Sequence, residues 1–332
     1  MKATTIPSEG IDAELRQTLE RMLEQAMGRP AAVRAVRRER SPFATVASAE
    51  ILSLSLDGGR QLSMFLKHLG PEQADHPDKQ CREREPRVYQ ELFCEDLPVV
   101  RCFGSRWNRR TRRRELYLQY VDDWNLTCHH LEHWFTAARR LAGLHAHFAS
   151  HAGRLRACDF LLRIDVPYLR AWAGRALAAV RERSAALAAE LAPVVDRYEP
   201  AAELIARQPA TLVHNDLAPK NVLADRSVDP ARIYFVDWEM AGIGCGVLDL
   251  VHLKYGLGPE DDRRMCDAYC DGLADAGLLP NAPEERDALF AACELHRTLY
   301  RLAHVTAWRL GLETAAQWVG EARELVRRSL PR

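Results

Sequence analysis

The sequence predicts an α+β chain of two lobes, a small antiparallel β-sheet lobe over residues 1–121 and a larger, mostly helical lobe over residues 122–332. Three observations carry this. At 332 residues the chain exceeds the usual size of one domain, so two compact bodies with separate cores are expected. Up to about residue 121, short alternating runs dominate, punctuated by the Asp57-Gly58-Gly59-Arg60 turn. After Asp122-Asp123 the apolar segments lengthen and take up the three- and four-residue spacing of helices.

Taken in order, Ile11, Leu15, Leu19, Met22, Leu23 and Met27 share one face of an N-terminal amphipathic helix that ends near Gly28-Arg29-Pro30. Three antiparallel strands follow, in "AAVRAVRRER", "TVASAEILSLSL" and "QLSMFLKHL". A polar loop over 70–80 precedes a helix in "CREREPRVYQELFCEDL", and two more strands fit "PVVRCFGSRW" and "RELYLQYV", giving a five-stranded sheet. The basic run between those two strands, residues 106–114, reads as a solvated hairpin tip. Helices are expected over 129–151, 165–192, 197–207, 260–278, 284–311 and 313–330, with strand and loop inside the helical lobe only at 211–238.

Composition excludes several classes of function. Lys+Arg and Asp+Glu both total 46, so no nucleic-acid or membrane partner is expected from charge. No apolar run is long enough to span a bilayer, and "MKATTIPSEGIDAELRQ" lacks a signal-peptide core, so a cytoplasmic location is expected. Nine scattered cysteines read as reduced, mostly buried thiols. Six histidines between 129 and 151 raise a metal-dependent hydrolase, but no HExxH or helical His pair with a neighbouring Glu accompanies them.

Chemistry concentrates in "LVHNDLAPKNVLA", residues 212–224, where a polar loop interrupts two strand-like segments. The strand after it, in "RIYFVDWEMAG", ends on Asp237. Asp216, Asn221 and Asp237 are thereby expected to converge. Asn221 and Asp237 suit Mg²⁺, which takes oxygen ligands and leaves the rest of its sphere to water and phosphate. Asp216 then stands free to orient or deprotonate a hydroxyl.

"HNDLAPKN" followed by "VDW" resembles the catalytic loop and metal aspartate of the protein-kinase-like superfamily, and within it the sequence is most similar to the aminoglycoside phosphotransferase and choline kinase group. The resemblance spans roughly residues 30–255 and implies a bilobal protein-kinase-like fold with a nucleotide clamp in the N-terminal lobe. It implies Lys67 as the phosphate-binding lysine, Glu85 as its ion-pair partner, a hinge in "LYLQYVDDW" whose Gln119 and Val121 contact the nucleotide, and His214 and Asp249 as supports of the catalytic loop. ATP is the implied phosphate donor, with GTP as the alternative. Ala218, the short span from Asp237 to Asp249, and the lack of an Ala-Pro-Glu segment separate the chain from protein kinases. Two departures from the family pattern stand out. "RERSPFAT" carries no glycine where the phosphate loop would be, and Asn215 replaces the more usual Gly, a change tolerated because Asn adopts left-handed conformations.

The implied reaction moves the γ-phosphate of ATP to a hydroxyl of a small-molecule acceptor. Eleven Asp/Glu against five Lys/Arg over 249–300 suggest a polyamine acceptor of the aminoglycoside type. The alternative is a metabolite kinase for choline, ethanolamine or a sugar, with Trp238, Tyr255, Tyr269, Tyr300, Trp308 and Trp318 as candidates for an ammonium cage. A catalytically dead binding protein is disfavoured because Lys67, Asp216, Asn221 and Asp237 are all present.

Overall fold

The computed structural model describes residues 4–6, 13–42, 48–70, 76–123, 125–274, 278 and 282–329. Ile11, the strand start Thr45–Ala47, part of the glycine-free loop (43–47), loop residues 71–75, Trp124 of the expected hinge and Asp275 lie outside the described residues. The chain forms two compact units, residues 1–124 with 225–239, and residues 125–224 with 240–332.

The first unit is built on an antiparallel sheet. Strands β1 (Thr4–Ile6), β2 (Val33–Arg40), β3 (Ala49–Leu56), β4 (Gln61–Leu69), β5 (Cys102–Asn108) and β6 (Arg113–Gln119) lie in the order β1-β2-β3-β4-β6-β5. The sheet therefore has six strands where five were expected. The additional β1 pairs with β2 over three residues, too short a run to show alternation. Period-two alternation puts Leu52 and Leu54 of β3 with Met64 and Leu66 of β4 against Leu15, Leu19, Met22 and Leu23 of helix α1 (Ala13–Met27). Lys67 consequently projects from the opposite face. The sheet and helix meet closely at Gly104, where a Cβ would come within 3.1 Å of Met22. A short helix, α2 (Arg84–Arg87), continues as one π-helical turn (Val88–Leu92) and carries Glu85.

The basic run does not act as one patch. Residues 109–112 are exposed at the hairpin tip. Arg106 turns inward onto Glu115 at 2.6 Å, and Arg114 reaches Glu83 at 2.7 Å.

The second unit is mostly helical: α3 (Leu131–Ala149), α4 (Ala152–Ala157), α5 (Val166–Arg183), α6 (Ala185–Asp196), α7 (Glu199–Ala206), α8 (Val247–Leu253), α9 (Pro259–Ala274), α10 (Pro283–Ala303) and α11 (Leu312–Arg328). The expected helix over 165–192 is two helices, because Ser184 leaves the helical conformation and caps α6 through Leu187 N–H. Helix α10 packs on α5, α7, α8 and α11 and forms the centre of the unit.

Strand structure in this half is not confined to 211–238. Strands β7 (Leu162–Arg163), β8 (Ala210–Val213) and β11 (Gly242–Cys245) form a three-stranded sheet with β11 between its neighbours. "GIGC" carries little strand signal of its own, and its glycines answer to packing: a Cβ on Gly244 would come within 2.8 Å of Ile164. Of nine free cysteines only Cys245 and Cys293 are buried, so the expectation of mostly buried thiols does not hold. Among the described residues no helix is long and apolar enough to cross a membrane.

Candidate active site

Each unit assembles its own group of the expected site residues. In the first unit, β4 delivers Lys67 and α2 delivers Glu85, and the two form a 2.7 Å ion pair with 9% and 2% exposure. Asp237 joins them by a second ion pair to the Lys67 ammonium. Burial works to lower the Lys67 pKa, but the Asp237 and Glu85 carboxylates outweigh it and raise it, so the lysine stays charged. Burial pushes the Glu85 carboxyl up to about 7; Lys67 opposes this, while Asp237 competes for the same cation.

Asp237 is held in place by its flanks. Strand β10 (Arg232–Phe235) is fixed to the first unit by a Phe235 N–H donating to the Pro98 carbonyl at 2.8 Å. The buried Trp238 indole packs edge-on against Phe93, with ring centroids 4.9 Å apart, and donates to the Phe235 carbonyl. On the far side, the Arg84 guanidinium donates to the Glu239 carbonyl at 2.7 Å, and Lys79 pairs with the Glu239 carboxylate. Asp237 itself has φ +72°, a conformation costly for a residue with a Cβ, imposed by these flanking anchors. Neither Lys79 nor Arg84 carries a signal in the sequence that marks it for this role. In a stretch dense with charge, nothing distinguishes them from solvated residues.

In the second unit the candidate catalytic loop leaves β8 at His214 and reaches β9 (Val222–Asp225) through a single 3₁₀ turn, Pro219–Asn221. Asp249, in the first turn of α8 and fully buried, accepts the backbone N–H of His214 at 2.6 Å and of Asn215 at 2.8 Å. His145 of α3 lies 3.3 Å from the same carboxylate through Nε2, while its Nδ1 is 2.7 Å from the Tyr269 hydroxyl. Those partners fit the tautomer protonated on Nε2, with Nδ1 accepting from Tyr269. Asn215 has φ +64°, the left-handed conformation expected of it, and its amide donates to the Tyr168 hydroxyl. His214 is buried and accepts the Asp216 N–H on Nδ1, so it supports the loop. Asn221 donates its amide N–H to the Asp216 carbonyl at 2.8 Å.

This bracing leaves one group conspicuous. Among the described residues, no hydrogen bond or ion pair engages the Asp216 carboxylate. Asn221 retains its side-chain carbonyl oxygen and Asp237 carries a carboxylate; each by itself is an oxygen donor of the kind a hard cation such as Mg²⁺ takes. The expected trio of Asp216, Asn221 and Asp237 is divided between the units, two residues in one and one in the other. Gln119 ends β6 with its side-chain oxygen accepting from Arg101 N–H, and Val121 is buried.

The features considered for the acceptor behave otherwise than their counts suggest. Glu260, Asp267, Asp271, Glu284, Glu285 and Asp287 face solvent, while Asp262 and Glu294 both pair with Lys254. Of the aromatic candidates, Trp238 and Tyr269 are core residues. Among the described residues no group of three His, Cys, Asp or Glu side chains forms a metal-binding cluster, and His145 serves Asp249.

No curated protein matches the chain. By fold it is similar to several solved structures: a microcompartment-associated aminopropanol kinase (16% identity, 89% of this chain and 94% of the other, TM-score 0.59), choline kinase from Cryptosporidium parvum (12%, 89% and 88%, 0.56) and a variant of aminoglycoside 2′-phosphotransferase IIIa with GDP (14%, 95% and 97%, 0.55). At these identities the likeness carries the protein-kinase-like fold and no substrate. The model of the phosphotransferase enzyme family matches residues 115–289, more than half of the chain and inclusive of residues 212–224, Asp237 and Asp249, and the chain belongs to that family.

Proposed function

We propose that the protein transfers the γ-phosphoryl group of ATP to a hydroxyl of a small-molecule acceptor, with Asp216 as the base that orients and deprotonates the hydroxyl. The unengaged Asp216 carboxylate carries this reading: the N–H groups of His214, Asn215 and Asp216 and the Asp216 carbonyl are held by Asp249, His214 or Asn221, while the carboxylate oxygens are left available. Phosphoryl transfer asks a protein mainly for position and charge neutralisation. Lys67, buried and held charged, would bind phosphate oxygens once a nucleotide competes with Asp237 for it. Gln119 and Val121 would border the base. Asn221 and Asp237 would hold Mg²⁺, which when bound neutralises the phosphates and polarises them toward attack. A neighbour's complex with GDP supports GTP as an alternative donor.

The acid count after residue 249 no longer favours an aminoglycoside, because the carboxylates among the described residues there are solvated or already paired. The test is an ADP-release screen over aminoglycosides, amino alcohols, sugars and hydroxy acids, followed by Asp216→Asn. That variant should bind Mg·ATP normally and turn over about 10²–10⁴ times more slowly, the range for losing a positioned acid–base group. Unchanged turnover would remove Asp216 from this role.

A further inference from the structure

Beside the catalytic loop, α10 presents two arginines one turn apart, Arg297 and Arg301, on the same face as Tyr300. Arg297 Nη1 lies 3.0 Å from His252 Nε2, and Asp216 is the carboxylate whose field acts on it. Arg301, only 4% exposed, donates through Nη2 to Thr298 at 3.1 Å and Glu321 at 3.4 Å, and lies 4.0 Å over the Tyr255 ring. The remaining donors are the unusual part. Arg297 Nε, Arg301 Nε and Arg301 Nη1 are shut off from solvent with no hydrogen-bond partner.

Guanidinium groups are built to bind planar oxyanions through paired N–H donors, and leaving such donors buried and unmade costs free energy. Two such cations in one turn also repel each other. Burial together with Arg301 pushes Arg297 down to about 10. The site is linked to the catalytic loop through side chains: Asn215 donates to the Tyr168 hydroxyl, and the Tyr168 ring lies 6.3 Å from that of His296, the residue preceding Arg297. His296 and His252 are held neutral by burial, so neither adds charge at neutral pH. Lys254, the next cation along, is already neutralised by Asp262 and Glu294. What is left is Arg297, within the field of Asp216 and with its Nε unpartnered, and one turn on Arg301, whose pairing with Glu321 through Nη2 leaves its Nε and Nη1 unmade.

We propose that the acceptor carries an anionic group, a carboxylate or phosphate, that the free donors of Arg297 and Arg301 bind while its hydroxyl faces Asp216. This rests on the kinase reading, and narrows its acceptors to hydroxy acids and phosphorylated alcohols. A cationic polyamine or a quaternary ammonium would meet like charge at this position.

The test compares acceptors that differ by one anionic group: serine against ethanolamine, glycerate against glycerol, gluconate against glucose. The anionic member of each pair should have the higher kcat/KM, by about 10- to 100-fold for a charge-assisted contact. In parallel, calorimetry with tartrate and Mg·AMP-PNP reads anion binding without turnover. Arg297→Met and Arg301→Met should lose the preference and the tartrate heat, and Arg297→Lys should recover part of both. Without ligand, Arg297→Met should unfold at the same temperature as wild type or higher, because it removes a buried charge lacking a full set of partners; a merely structural arginine would give a lower one. Preference for neutral or cationic acceptors in the wild type, or a preference unchanged in both Met variants, overturns the proposal, as does absence of both tartrate binding and anionic turnover. Tartrate binding lost in Arg297→Met, with no acceptor phosphorylated, would retain the anion site and sink the kinase reading. Choline turned over equally by wild type and both variants would do the reverse.

Discussion

Replacing Asp249 by Ala tests whether the catalytic loop is held by a single buried carboxylate. The side chain is fully buried and accepts two backbone N–H groups, from His214 and Asn215, while orienting His145. Removal leaves both N–H groups without a partner in a dry environment. At about 1–3 kcal/mol for each buried donor left unmade, the loss is about 2–6 kcal/mol. Asp249→Asn should cost roughly half of that, because its amide oxygen accepts from one N–H while its NH₂ opposes the other. Urea denaturation followed by tryptophan fluorescence reads the stability, and ADP release reads the function. Turnover should fall about 10²-fold or more for a loop displacement near 1 Å, while Mg·ATP affinity changes less, since Lys67 and Glu85 do not depend on this carboxylate. An Ala variant within about 0.5 kcal/mol of wild type and equally active would refute the reasoning.

Lys67→Met leaves Glu85 and Asp237 without their shared cation and should destabilise the protein by about 3–5 kcal/mol; adding Glu85→Gln should restore most of it, as denaturation would show. His296 is held by burial, reinforced by Arg297, at about 3, below its ordinary 6.5, and lies 2.9 Å from the Tyr198 hydroxyl. Its depressed pKa contributes stability that is fully present above about pH 6.5 and is lost as pH falls toward 3, about 2 kcal/mol by pH 5. His296→Gln should flatten that part of the pH–stability curve, and an identical slope in both proteins would contradict the assignment. Gly246→Ala should cost about 1–3 kcal/mol, because the new Cβ would meet His145 Nδ1 at 2.5 Å and the Tyr269 hydroxyl at 2.8 Å; a thermal melt matching wild type would show that the two side chains can move apart.

Local patterns made much of this protein legible in its sequence. Alternation in β3 and β4 and the three- and four-residue spacing in α1 and α10 are periodicities imposed by the backbone itself, so apolar residues report the buried face directly. The Asp57-Gly58-Gly59 turn is legible for the same reason, since Gly58 and Gly59 both take positive φ. Asp216, Asn221, Asp237 and Lys67 stand out because their types and order match a known chemistry. Position in the fold is another matter. β11 pairs in parallel with β7 some eighty residues earlier, and its glycines are fixed by Ile164, which no local signal announces. That Asp237 joins Lys67 and Glu85 in one unit, that Arg84 and Lys79 anchor the segment after it, and that the described acidic residues after 249 are solvated or paired while Arg297 and Arg301 keep unmatched donors are all outcomes of packing. A sequence counts charges, but only tertiary structure decides which of them are neutralised, because an ion pair depends on a distance of a few ångströms between residues that can be 170 positions apart.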